Sequence, residues 1–172
     1  METKNRKDLN IIGSTEYVEI SGIQNVPAKI DTGADTSSVW ASNIEMGKDG
    51  TLSFVLFSEQ SPLYTGEVFT TNDYRVKTIR SSNGSEQIRY RVKLPIVIGS
   101  ASFETTFTLA NRSRNNFPVL IGRRTLDGHF LVDVSKASVM RHSNPHTPQL
   151  NKELAKNPYE FHQKYLKKKG DI

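Results

Sequence analysis

The sequence predicts an all-β domain followed by a short helical tail, and three observations predict it. Short apolar-rich runs bounded by turn residues recur at near-regular spacing to about residue 140. One of the boundaries is Asn83-Gly84, the strongest short hairpin signal, because a type I′ turn needs positive φ at both central positions. Beyond residue 141 the composition changes to Pro, Asn and His and then to apolar pairs four residues apart. A sandwich or a barrel fits such a chain, with residues 1–10 as a disordered lead, 11–140 as the β domain and 141–172 as linker and basic helical tail.

The elements follow in order. "EYVEI" (16–20) and "VPAKID" (26–31) read as strands separated by Gly22 and Asn25. "SSVW" follows the turn at 31–36, and "TLSFVLF" (51–57) follows the turn "KDG". "EVFTTNDYRVKTIR" (67–80) and "EQIRYRVKLPIVI" (86–98) face each other across "SSNGS". "SFETTFTL" (102–109) alternates, with Phe103, Thr105, Phe107 and Leu109 on one face. "FPVLIG" (117–122) has the composition of a fully buried strand, and "HFLVDV" (129–134) is the last. In the tail, Thr147 caps a helix with Pro148 at its first position, and Asn157-Pro158 repeats the signal. Leu150/Leu154 and Phe161/Tyr165 mark the helix faces. Trp40 reads as a core residue.

Composition narrows the function classes. The chain has 172 residues, 35% of them hydrophobic, and no cysteine, which excludes disulfides, thiol chemistry and Cys-ligated zinc. No apolar run is long enough for a membrane span, and "METKNRKDLN" lacks the apolar core of a signal peptide, so a cytoplasmic protein with no membrane partner is expected. The formal charge is +5, yet residues 141–172 hold seven Lys/Arg and three Asp/Glu. The rest is nearly neutral, so no nucleic-acid partner is expected, and the lysines at 167–169 read as a solvated helix end.

The motifs exclude more. His142 and His146 have helical zinc spacing, but Pro145 lies between them, and the four histidines read as solvated loop residues. No metal site and no cofactor is expected. There is no Gly-x-Ser-x-Gly and no glycine-rich loop opening a helix. What remains is Asp31 in "AKIDTGADTSSVW" (28–40), at a strand end and followed by a small hydroxyl and a glycine. Backbone N–H groups can hold such a carboxylate in one orientation. A single carboxylate is a poor peptide hydrolase; two that share one proton supply both a base for water and an acid for the carbonyl. The chain has one Asp-Thr-Gly, so the second carboxylate must come from a second copy.

"AKIDTGADTSSV" resembles the active-site segment of retropepsin-like aspartic proteases, and "FPVLIGRRTL" (117–126) resembles their second signature, an apolar run ending in Ile-Gly-Arg. The closer resemblance is to a microbial family labelled ATP-dependent zinc proteases and associated with RimK-type ATP-grasp ligases. It rests on "IDTGA", "RSSNG…RY" and "NRSRNNFPVLIGRRTL…FLVD" and spans residues 16–135. The resemblance implies a closed retropepsin-like barrel acting as a homodimeric aspartic endopeptidase. Asp31 would be catalytic, with Thr32 bonding across the dimer, Gly33 and Ala34 completing the loop, Asp35 near Arg123, and Gly122 close beneath the loop. The hairpin of Arg80, Ser81, Ser82, Asn83, Gly84 and Arg89 would be a flap, its arginines suited to an acidic peptide of the kind a RimK-type ligase makes. The rival readings are a non-catalytic partner of a peptide ligase and a metal-dependent hydrolase.

Overall fold

The computed structural model of the chain describes residues 9–80, 86–139 and 146–165. The chain divides into two compact units, residues 1–140 and 141–172. In the first, the strands are β1 (Asn10–Ile12), β2 (Thr15–Ile20), β3 (Ile23–Ile30), β4 (Ser37–Met46), β5 (Leu52–Leu56), β6 (Val68–Thr71), β7 (Tyr74–Arg80), β8 (Glu86–Ile98), β9 (Ala101–Ala110), β10 (Val119–Ile121) and β11 (Phe130–Val132). One short helix, α1 (Arg123–Leu126), lies between β10 and β11.

Six strands close into a barrel in the order β10-β3-β2-β8-β9-β4, and β4 pairs back onto β10. This is the closed retropepsin-like barrel expected from the sequence. Period-2 burial drives the closure. Val26, Ala28 and Ile30 of β3, Val92, Leu94, Ile96 and Ile98 of β8, and Val39 and Ala41 of β4 all turn into one core with Phe107, Leu109, Val119 and Ile121. β10 is short and central, running parallel to β3 and antiparallel to β4, so that Val119 lies opposite both Ala28 and Val39. Val119 and Ile121 are buried and Leu120 between them is half-buried.

Several local expectations change. The run at 67–80 is two strands, broken at Asn72-Asp73, because β6 pairs with β5 while β7 pairs with β8. Asn10 is in β1, which pairs in parallel with β11 through Asn10↔Phe130, Ile11↔Leu131 and Ile12↔Val132. His129 is half-buried and stacks on Phe103 with ring centroids 4.4 Å apart, so it is a packing residue and no solvated loop histidine.

The second unit contains α2 (Thr147–Lys156) and α3 (Pro158–Tyr165). His146, not Thr147, holds the N-cap position of α2, one residue earlier than the sequence signal placed it. Glu153 ties the two helices together, accepting from Lys164 Nζ at 2.7 Å and Tyr165 OH at 3.0 Å. Phe161 and Tyr165 pack their rings 4.7 Å apart along one face. Among the described residues no helix is long and apolar enough to cross a membrane.

Candidate active site

The loop 31–36 joins β3 to β4, and both strands flank β10. The two sequence signatures therefore meet. Asp31 N–H donates to Ile121 O at 2.9 Å, Arg123 N–H to Ala34 O at 2.8 Å, and Arg124 N–H to Asp35 O at 3.2 Å. These bonds continue the sheet ladder past its last formal pair and lock the loop onto the start of α1.

Within that frame the Asp31 carboxylate is oriented by its own loop. Its Oδ1 accepts from Gly33 N–H at 3.1 Å and Ala34 N–H at 3.2 Å. Its Oδ2 lies 3.7 Å from Lys29 Nζ, two residues back on the same strand face. Thr32 and Gly33 are exposed at the loop tip.

Gly122 fits beneath this loop by contact. A Cβ there would stand 2.6 Å from the carbonyl carbon of Thr36 and 3.0 Å from Ala34 O. Its N–H donates to Ser37 Oγ at 3.0 Å. Ser37 Oγ is also 2.6 Å from Thr125 Oγ1, which reaches Thr105 Oγ1 at 3.0 Å. Ser37 and Thr125 are buried, so each hydroxyl satisfies the next where no bulk water reaches.

Asp35 lies 3.8 Å from Arg123, but its main partner is Arg124. Arg124 places one nitrogen 3.1 Å from Oδ2 and donates from Nε to Oδ1 at 3.3 Å. This fork is the better geometry of the two, because α1 turns Arg124 back over the loop. The pair is exposed, so it steers the loop more than it stabilises the fold.

The β7–β8 ribbon brings further groups. Its register runs from Tyr74↔Val92 to Arg80↔Glu86. Strand alternation puts Arg75 and Lys77 on one face with Arg89 and Arg91. Lys77 Nζ donates to Thr36 Oγ1 at 3.2 Å, which turns this basic face toward the loop of Asp31. The side chain of Arg80 lies outside the described residues. Ser81, Ser82, Asn83 and Gly84 lie outside the described residues.

Sequence reasoning missed Arg112. Its Nε donates to Phe117 O at 3.0 Å and a terminal nitrogen donates to Ser38 Oγ at 2.9 Å. Ser38, Leu120 and Lys29 form one cross-strand row, which leads from Arg112 to the partner of Asp31. Burial and the like charge of Arg89 push the Arg112 pKa down, and the charge of Asp31 pulls it back up. The guanidinium stays charged. Nothing in "NRSRNN" marks one arginine out from a solvated turn. Sequence reasoning missed Ser37 as well, although Ser37 shares the buried period of Val39 and Ala41, a signal that could have found it. Among the described residues no group of three or more His, Asp or Glu side chains gathers as metal ligands.

Residues 11–143 match the family model described as RimB-like, retropepsin-like aspartic endopeptidase RimB. The chain belongs to this family. Among curated relatives of this RimB-like chain is a probable alpha-L-glutamate ligase of Shewanella pealeana, 31% identical over 132 residues, covering 74% of this chain and 29% of the ligase. Its counterpart in Shewanella halifaxensis is 30% identical over 139 residues, covering 78% of this chain and 30% of the ligase. The RimB-like chain thus spans about three tenths of the length of the curated relatives it matches. The crystal structure of a Legionella pneumophila protein of unknown function superposes with a TM-score of 0.54 at 25% identity, covering 74% of this chain and 95% of that one.

Proposed function

We propose that this chain is an aspartic endopeptidase that works as a homodimer, with one Asp31 from each copy at the dyad. The observation that carries the reading is the Asp31 carboxylate, fixed by the N–H groups of Gly33 and Ala34 on a loop bonded to the Ile-Gly-Arg segment. Two such carboxylates related by a two-fold axis share one proton. The ionised one removes a proton from water, and the oxygen adds to the scissile carbonyl carbon. The protonated one gives its proton to the carbonyl oxygen, forming a tetrahedral diol. Return of a proton to the amide nitrogen lets the C–N bond break, releasing acid and amine. Thr32 bonds across the dyad and holds the two loops in register.

The substrate is an acidic peptide or protein tail. Lys77, Arg89 and Arg91 present a basic ribbon face toward the Asp31 loop, and Arg112 adds a half-buried cation. The relatives named as glutamate ligases support the same chemistry and a functional link to a RimK-type ligase. The test is cleavage of glutamate-rich and glutamine-rich peptides by the wild type and Asp31→Asn. Cleavage that favours glutamate and disappears in the variant is expected. Undiminished cleavage by Asp31→Asn overturns the reading.

The match to about three tenths of longer ligase-named proteins favours a second reading, a non-catalytic binding module for a ligase or its product. Tight binding of the glutamate-rich peptide without turnover selects it.

A further inference from the structure

A cavity on the β domain shares no lining residue with the Asp31 loop. It has a volume of about 470 Å3, within the usual range of ligand pockets. Trp40 and Tyr64 supply aromatic surface, while Ser42, Asn43, Gln60 and Asn111 supply hydroxyl and amide groups. One lining side chain is charged, Glu59, and among the described residues its carboxylate has no hydrogen-bond or ion-pair partner. Among the described residues no lysine or arginine lines the cavity.

The backbone around it is strained. Phe57 is wholly buried and has φ +65°, a conformation that bulky side chains rarely adopt, and Asn43 has φ +48°. Phe57 N–H donates to Trp40 O at 2.9 Å, and Ser42 Oγ donates to Phe57 O. The strain is held in place by these bonds and by a register shift between β4 and β5 after Ser42. It sets Phe57 edge-on to Trp40, with ring centroids 6.5 Å apart and planes at 83°. Phe57 thereby fixes the indole, and the half-buried Trp40 keeps surface on the cavity. The one strained residue, Phe57, stands behind the lining and supports the indole that faces it.

We propose that this cavity binds an organic cation, a guanidinium or alkylammonium head, between the aromatic surfaces and the Glu59 carboxylate. Indole and phenol faces attract a cation through their quadrupoles. Glu59 supplies the single formal charge, of the matching sign, and the neutral amides take up the remaining N–H donors. An anion would meet Glu59 with no cation to offset it. The head group belongs to a Lys or Arg side chain of a protein partner or to a free polyamine. The proposal does not depend on peptide hydrolysis.

Trp40 is the only tryptophan in the chain, so its emission reports on this cavity alone. The full chain is titrated with N-acetyl-arginine amide, spermidine and N-acetyl-glutamate amide. A saturable change in Trp40 fluorescence with one or both cations, and none with the anion, is expected. A response to the arginine derivative assigns the site to a protein side chain; a response to spermidine alone assigns it to polyamines. Glu59→Gln, an exposed and isosteric change, weakens cation binding about tenfold, the loss of one charge-assisted contact. No saturable response to either cation, an equal response to the anion, or unchanged affinity in Glu59→Gln overturns the proposal.

Discussion

A Cβ placed on Gly122 would stand 2.6 Å from the carbonyl carbon of Thr36, so the end of β10 and the Asp31 loop touch backbone to backbone. The φ of Gly122 is −91°, open to any residue, and close approach alone demands glycine. Gly122→Ala must displace the loop. The expected cost is about 1–3 kcal/mol, as for other overpacked sites, read from urea unfolding. A variant as stable as the wild type would show that the contact relaxes freely.

Ser37→Ala removes the acceptor of the Gly122 N–H and the partner of Thr125. The buried Gly122 N–H is then left unsatisfied, while Thr125 Oγ1 keeps only Thr105 Oγ1 as partner. The expected loss is about 1–3 kcal/mol, again from denaturant unfolding. Ser37→Thr restores the hydroxyl and should recover part of it.

Asp31→Asn keeps the size and the acceptor oxygen toward Gly33 and Ala34, so its circular dichroism should match that of the wild type. Peptide cleavage should vanish. A cleavage assay on the wild type and the variant side by side checks this.

Arg112→Lys keeps the charge but loses the planar fork that spans Ser38 Oγ and Phe117 O. Stability should fall by about 1–3 kcal/mol, and cleavage of acidic peptides should fall more than that of neutral ones. Equal loss on both would make Arg112 a structural residue only.

In the tail, Lys164 and then Tyr165 hold the Glu153 carboxyl below its ordinary pKa by hydrogen bonding to the ionised form. A group depressed on folding contributes fully above its unfolded value and loses that contribution as pH falls through the folded value. The α2–α3 contact should therefore loosen at pH below the ordinary glutamate range. The Lys164 pKa is raised by Glu153 and Tyr165, so its share is lost only as pH rises through that elevated value. Chemical shifts of the Tyr165 ring across an acid titration test this, and Glu153→Gln should abolish the transition.

What the sequence by itself determined was local and periodic. Alternation in β8 and β9, the apolar run of β10 and the Asp-Thr-Gly turn all follow from side-chain period and turn chemistry, which neighbouring residues set. From these came the β class, the helical tail and Asp31 as the candidate. Tertiary structure decided what depends on residues far apart in the chain. β10 inserts between β3 and β4, and only that insertion sets Gly122 under Thr36 and Arg124 on Asp35. The β7–β8 register sets Lys77 opposite Arg89 and turns Lys77 toward Thr36, because a strand reverses face at every residue and pairing alone sets the count. Arg112 gains its role from burial against Ser38 and Phe117, a property of packing that no arginine carries in its own neighbourhood.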